Sequence, residues 1–67
     1  MFGEWVSVKD RLPEVEQRYL VYMTRYKECI LAEYDGNGEW LDEAGLANVT
    51  RLVTHWATLP KPPITDD

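Results

Sequence analysis

The apolar positions of this chain come in short runs, and most of the runs read as strands rather than helices. Arg18 to Thr24 (Arg-Tyr-Leu-Val-Tyr-Met-Thr) is rich in aromatic and β-branched residues and has no glycine or proline. Tyr19, Val21 and Met23 fall on one of its faces and Leu20 and Tyr22 on the other, so both faces are apolar and a central strand, covered on each side, is expected. Glu28 to Tyr34 is the next strand, with Ile30, Ala32 and Tyr34 opposite Cys29, Leu31 and Glu33. Asp35-Gly36-Asn37-Gly38 then gives the strongest turn signal in the chain, because Asp-Gly and Asn-Gly supply the positive φ angles of tight hairpins. Glu39-Trp40-Leu41 returns as a third strand, which makes residues 28–41 a hairpin. Trp5 to Val8 is a short strand-like piece, and Arg51 to Leu59 is the last strand, stopped by Pro60, Pro62 and Pro63.

Between these runs the chain is less regular. Ser7 or Asp10 can cap a single helical turn, but Pro13 forces Leu12 into extended geometry and ends any helix there. Arg25-Tyr26-Lys27 is a turn without a glycine. Asp42 to Thr50 carries Gly45 and two alanines, too little apolar material for more than one helical turn. The expected fold is mainly β: an antiparallel meander of three to five strands with a short N-terminal turn or helix packed on one face. Residues 1–67 form a single domain, and 64–67 are expected to fray.

Size makes aromatic packing important. At 67 residues the domain lies near the lower limit for folding alone, and a core of that size rarely contributes more than roughly 3–5 kcal/mol net. The usual staples are missing. One cysteine, Cys29, closes no intrachain disulfide, and Cys29 with His55 falls short of the four ligands of a structural zinc. Three Trp, four Tyr and one Phe must therefore fill the core, or oligomerisation must help. No apolar run is long enough to span a membrane, and the opening residues lack the regions of a signal peptide. With a lone unpaired cysteine, a cytoplasmic location is expected.

The net charge of −5 is unevenly placed. From Glu28 to Thr50 there are six acids, Glu28, Glu33, Asp35, Glu39, Asp42 and Glu43, and no lysine or arginine. Such a surface repels phosphate, so direct nucleic-acid binding is not expected. The stretch reads either as a solvated face or as a patch for a basic partner, including one whose nucleic acid it imitates.

Few residues suit catalysis. Cys29 and His55 are the only cysteine–histidine pair, and a strand offers none of the helix N-terminus that activates a thiolate. His55 reads more simply as a structural histidine donating to a backbone carbonyl. Glu39, Asp42 and Glu43 cluster, but paired acids need a cleft that a small sheet has little room for. The Asp35–Glu39 turn lacks the alternating ligands of a calcium loop. No phosphate loop or nucleophile elbow is present, so no cofactor, metal site or enzyme activity is expected. Among the tryptophans, Trp40 lies beside Glu39, Asp42 and Glu43 and is the candidate interface anchor.

The two ends of the chain carry recognisable signatures. Trp5-Val6-Ser7-Val8-Lys9-Asp10-Arg11-Leu12-Pro13 resembles the opening Trp-hydrophobic-Ser-hydrophobic-x-Asp-Arg-Leu-Pro signature of the domain of unknown function 551 family. Thr54-His55-Trp56-Ala57-Thr58-Leu59-Pro60-Lys61-Pro62-Pro63 is similar to its closing signature, with Ala57-Thr58 where the family often has Met-Pro. The resemblance implies a small protein of phage, prophage or bacterial origin and no established activity. It also suggests a structural clasp, in which Trp5, Leu12, Pro13, His55, Trp56, Leu59 and Pro60 draw the two ends together across the sheet.

The expectation is thus a non-catalytic protein-interaction module, binding a host or phage protein through Glu33, Asp35, Glu39, Trp40, Asp42 and Glu43, as an inhibitor or nucleic-acid mimic among other roles. The alternatives are a small enzyme or ligand-binding protein using His55 with Cys29 or a carboxylate, and a homo-oligomer assembled through sheet edges.

Overall fold

A computed structural model describes residues 4–59. Five strands form one antiparallel sheet: β1 (Val6–Ser7), β2 (Arg18–Met23), β3 (Glu28–Tyr34), β4 (Trp40–Asp42) and β5 (His55–Ala57). Their spatial order is β1-β5-β2-β3-β4. The consecutive strands β2, β3 and β4 run as a meander, as neighbouring hairpins should. The fifth strand returns across the sheet and inserts between β1 and β2, pairing with both. The whole described region is strand, turn and loop, with a single turn after β1 in place of a helix: Asp10 N donates to Ser7 O at 2.9 Å and Lys9 N to Ser7 Oγ at 3.2 Å. The chain around residues 42–50 likewise makes a tight turn, Gly45 N to Asp42 O at 2.9 Å, rather than a helical one.

The last strand is shorter than its apolar run. Leu52 and Val53 fold over Val49, both N–H groups donating to Val49 O, so strand pairing waits until His55. The glycine-free turn between β2 and β3 closes because Lys27 takes a positive φ of 55°. In the β3–β4 turn that role passes to Gly36 and Gly38, at φ 84° and 91°, with the Asp35 carboxylate accepting from Asn37 N and Glu39 N.

Register sorts the side chains. One cross-strand row runs Val6, Trp56, Val21, Ile30, and the adjacent row Ser7, His55, Tyr22, Cys29 points to the opposite face. The first face is the core. Tyr19 lies edge-on to both Trp40 (5.9 Å) and Trp56 (5.2 Å), and Tyr34 packs on Trp40 at 4.9 Å. Val49 and Val53 complete this buried cluster, with Val8 and Leu52 packed against it. Pro13 is buried as well, and the Tyr19 hydroxyl donates to Val15 O at 2.8 Å.

The other face is open. Leu20, Tyr22, Leu31 and Leu41 belong to it and none joins the core cluster. The expectation that β2 is covered on both sides therefore fails on one side. The two long described segments outside the sheet, residues 8–17 and 43–54, both go to the core face, while Trp5 lies beside Tyr22 on the other.

Candidate functional site

The open face is built by alternation. Residues that flank core positions on each strand must emerge on the far side, so the row Ser7, His55, Tyr22, Cys29 lies beside a second row of Ala57, Leu20 and Leu31. Beyond these come Arg18 opposite Glu33 and Glu33 opposite Leu41. An antiparallel sheet that faces water normally presents polar side chains there. This one presents leucines and rings.

At one end of the face lies a hollow of about 300 Å³ lined by Trp5, Tyr22, Cys29 and His55. Trp5 is 41 % exposed and its ring centroid is 6.0 Å from that of Tyr22 at 55°. Tyr22 in turn stands 6.2 Å from the His55 ring at 59°. The imidazole is tethered through Nδ1 to the Thr54 hydroxyl at 2.9 Å, which orients it and leaves Nε2 as its remaining polar atom. Its partner is thus a neighbouring hydroxyl rather than the backbone carbonyl expected from sequence. That hydroxyl is itself a hub, 2.7 Å from Thr24 Oγ1 and 3.1 Å from Tyr22 O.

Cys29 and His55 share the hollow but do not form a pair. Each is in register with Tyr22, on opposite sides of it, so two strand spacings, roughly 10 Å, separate their backbones. Among the described residues no three His, Cys, Asp or Glu side chains come together as a metal site.

The proposed acidic face divides. Trp40 is 1 % exposed and sits at the centre of the core, so it is not an anchor offered to a partner. Its acidic neighbours adjoin it in sequence, yet on a strand Glu39 and Leu41 point away from Trp40. Asp42 accepts from Leu46 N (2.8 Å) and Ala47 N (3.3 Å), and Asp35 caps its own turn. Those two carboxylates hold loops. Glu33, half-buried, shares the open face with Leu41, while Glu39 and Glu43 are exposed and flank Trp40–Asp42 at positions of the same parity. Glu39 Oε1 accepts from Asn48 Nδ2 at 3.3 Å.

The clasp takes a different form from the one expected. The end signatures meet as strands, Val6 opposite Trp56 and Ser7 opposite His55. Trp56 Nε1 donates to Arg11 O at 3.0 Å, and the Arg11 guanidinium lies 5.6 Å over the indole. Trp5, however, precedes Val6 and so lies on the face opposite Trp56. Leu12 and Leu59 are 38 % and 37 % exposed, and Leu12 Cδ1 lies beside Gly38. Pro60 and the 64–67 tail lie outside the described residues.

These features define a small, acidic, all-antiparallel sheet protein with one dressed and one bare face. The family model described as Protein of unknown function (DUF551) matches residues 4–64, and the chain belongs to that family. No curated protein and no solved structure matches it significantly.

Proposed function

We propose that this protein is a non-catalytic interaction module whose open sheet face holds a basic, partly apolar segment of a protein partner. The observation that carries the reading is the set Leu20, Tyr22, Leu31 and Leu41, half-buried on a face that receives neither of the two long described segments. A contiguous row of partly exposed apolar side chains on one sheet face is the kind of surface that marks interaction sites. Charge supports a basic occupant: the chain carries −5, and Glu33, Glu39 and Glu43 border the leucines at the β3–β4 end. The partner surface is thus displaced from the acidic hairpin tip to the sheet face beside it, and Trp40, Asp35 and Asp42 act as supports.

The separation of Cys29 from His55 by Tyr22 counts against a cysteine–histidine enzyme. Edge-to-edge assembly has less support, because Val49 N donates to Trp40 O and Asp42 N to Ala47 O, so this chain's own loop already bonds the outer edge of β4. A reducing, cytoplasmic setting suits the exposed free thiol of Cys29.

Peptide display against the full chain tests the reading, with Leu31→Lys as counter-selection. The expected enrichment is of sequences combining basic and apolar residues, lost on Leu31→Lys and weakened by Glu33→Gln. Enriched sequences that survive Leu31→Lys, or no enrichment over that variant, would overturn it, provided circular dichroism shows the variant folded.

A further inference from the structure

We propose that the hollow between Trp5, Tyr22 and His55 is a cation-binding trough that takes the guanidinium of an arginine side chain. This deepens the interaction reading above and rests on it for the source of the arginine. Three rings follow one another around the hollow, Trp5 to Tyr22 at 6.0 Å and 55°, Tyr22 to His55 at 6.2 Å and 59°. Rings tilted in this way around an open space offer π surface to one guest, and a cation is held within about 6 Å of a ring centroid. The volume, about 300 Å³, is at the bottom of the range for small-molecule sites and suits a single side chain.

The chain already pairs arginine with its rings, buried or exposed. Arg11 lies 5.6 Å over the buried Trp56 and Arg25 lies 5.7 Å over the exposed Tyr26. Trp5 and Tyr22 have no such cation among the described residues, although Trp5 is the most exposed of the three indoles. Arginine fits better than lysine because a planar, weakly hydrated guanidinium can stack on a ring and still direct an N–H to an acceptor such as His55 Nε2. The net charge of −5 favours a cation. The nearest cations along the chain, Arg25 and Lys27, belong to the β2–β3 turn, and Arg25 is engaged by Tyr26.

The test is an NMR titration of the full chain with N-acetyl-arginine amide and its citrulline and norleucine counterparts, read at the indole N–H signals. The arginine compound is expected to shift the Trp5 signal but not those of Trp40 and Trp56. It should bind about two- to fivefold tighter than citrulline, the factor a cation–π contact gives at an exposed site. Trp5→Leu should erase that difference. Equal binding of citrulline or norleucine would make the hollow a merely apolar one and overturn the proposal. So would a Trp5 signal indifferent to all three compounds, one that responds only after residues 60–67 are removed, or one that moves with protein concentration through self-association. The two proposals fail separately. A silent trough with display peptides still lost on Leu31→Lys leaves the open face standing, and arginine binding without any selected peptide leaves only the trough.

Discussion

Replacing Trp56 by phenylalanine should cost this domain half or more of its stability, and Trp5→Phe almost none. The indole of Trp56 is buried under the N-terminal segment, edge-on to Tyr19 at 5.2 Å, with its N–H on Arg11 O at 3.0 Å and a guanidinium above it. Phenylalanine removes about 40 Å² of buried ring, or about 1 kcal/mol at ~25 cal/mol/Å². The lost hydrogen bond adds about 1 kcal/mol. Weakening of the Arg11 contact adds about 0.5 kcal/mol. The total, about 2.5 kcal/mol, stands against a net stability of roughly 3–5 kcal/mol for a core this small. At about 4–8 °C per kcal/mol, the melting midpoint should fall by about 10–20 °C. Trp5 lies on the other face, and its substitution should stay within about 0.5 kcal/mol. Urea titrations followed by far-ultraviolet circular dichroism avoid the tryptophan signal that both variants change, and the slopes should match that of the native chain. If the two substitutions cost the same, or Trp56→Phe costs under about 1 kcal/mol, the link between the ends of the chain does not reside in this indole.

Further outcomes follow from the same contacts. Trp40→Ala should remove about 3–5 kcal/mol and leave the chain unfolded at room temperature, seen as collapse of methyl dispersion in its proton spectrum. Asp42→Ala frees Leu46 N and Ala47 N and should cost about 1 kcal/mol in a urea titration, whereas Glu43→Ala should change it by less than about 0.5 kcal/mol. Burial raises the Tyr19 phenol above its ordinary value of 10.0. The unfolded chain then releases this proton before the folded chain does, so stability is intact below that value and falls as pH rises through the folded one. Tyr19→Phe should flatten that alkaline fall in thermal melts; parallel profiles would assign the fall to other groups.

How much of this was legible in the chain depends on what kind of information each feature needs. The β3–β4 hairpin was readable almost to the residue, because Asp35, Gly36 and Gly38 specify their turn locally. The faces of β2 were also readable from alternation. What alternation could not give was which face receives the rest of the chain, and so it left Leu20 and Tyr22 looking as buried as Tyr19 and Val21. The insertion of β5 between β1 and β2 was hidden for a similar reason: pairing between residues some fifty positions apart leaves no local trace. Only the matching signatures at the two ends hinted at it. Sequence adjacency to Glu39 makes Trp40 read as an anchor, whereas on a strand their side chains point in opposite directions. The hollow under Trp5 needed Tyr22, Cys29 and His55 brought from three strands, which no spacing along the chain announces.

The position of β5 also governs when this sheet can exist. Because its strand order places residues 55–57 next to the middle, a growing chain can form the β2–β3–β4 hairpins early but must leave the outer edge of β2 unpaired until its last quarter emerges. Val21, in the centre of that edge, waits for Trp56. Closure is therefore a late, long-range step of the kind that slows folding. A chain cut short before His55 would present β2 as a sticky template for other chains rather than a smaller version of the same domain.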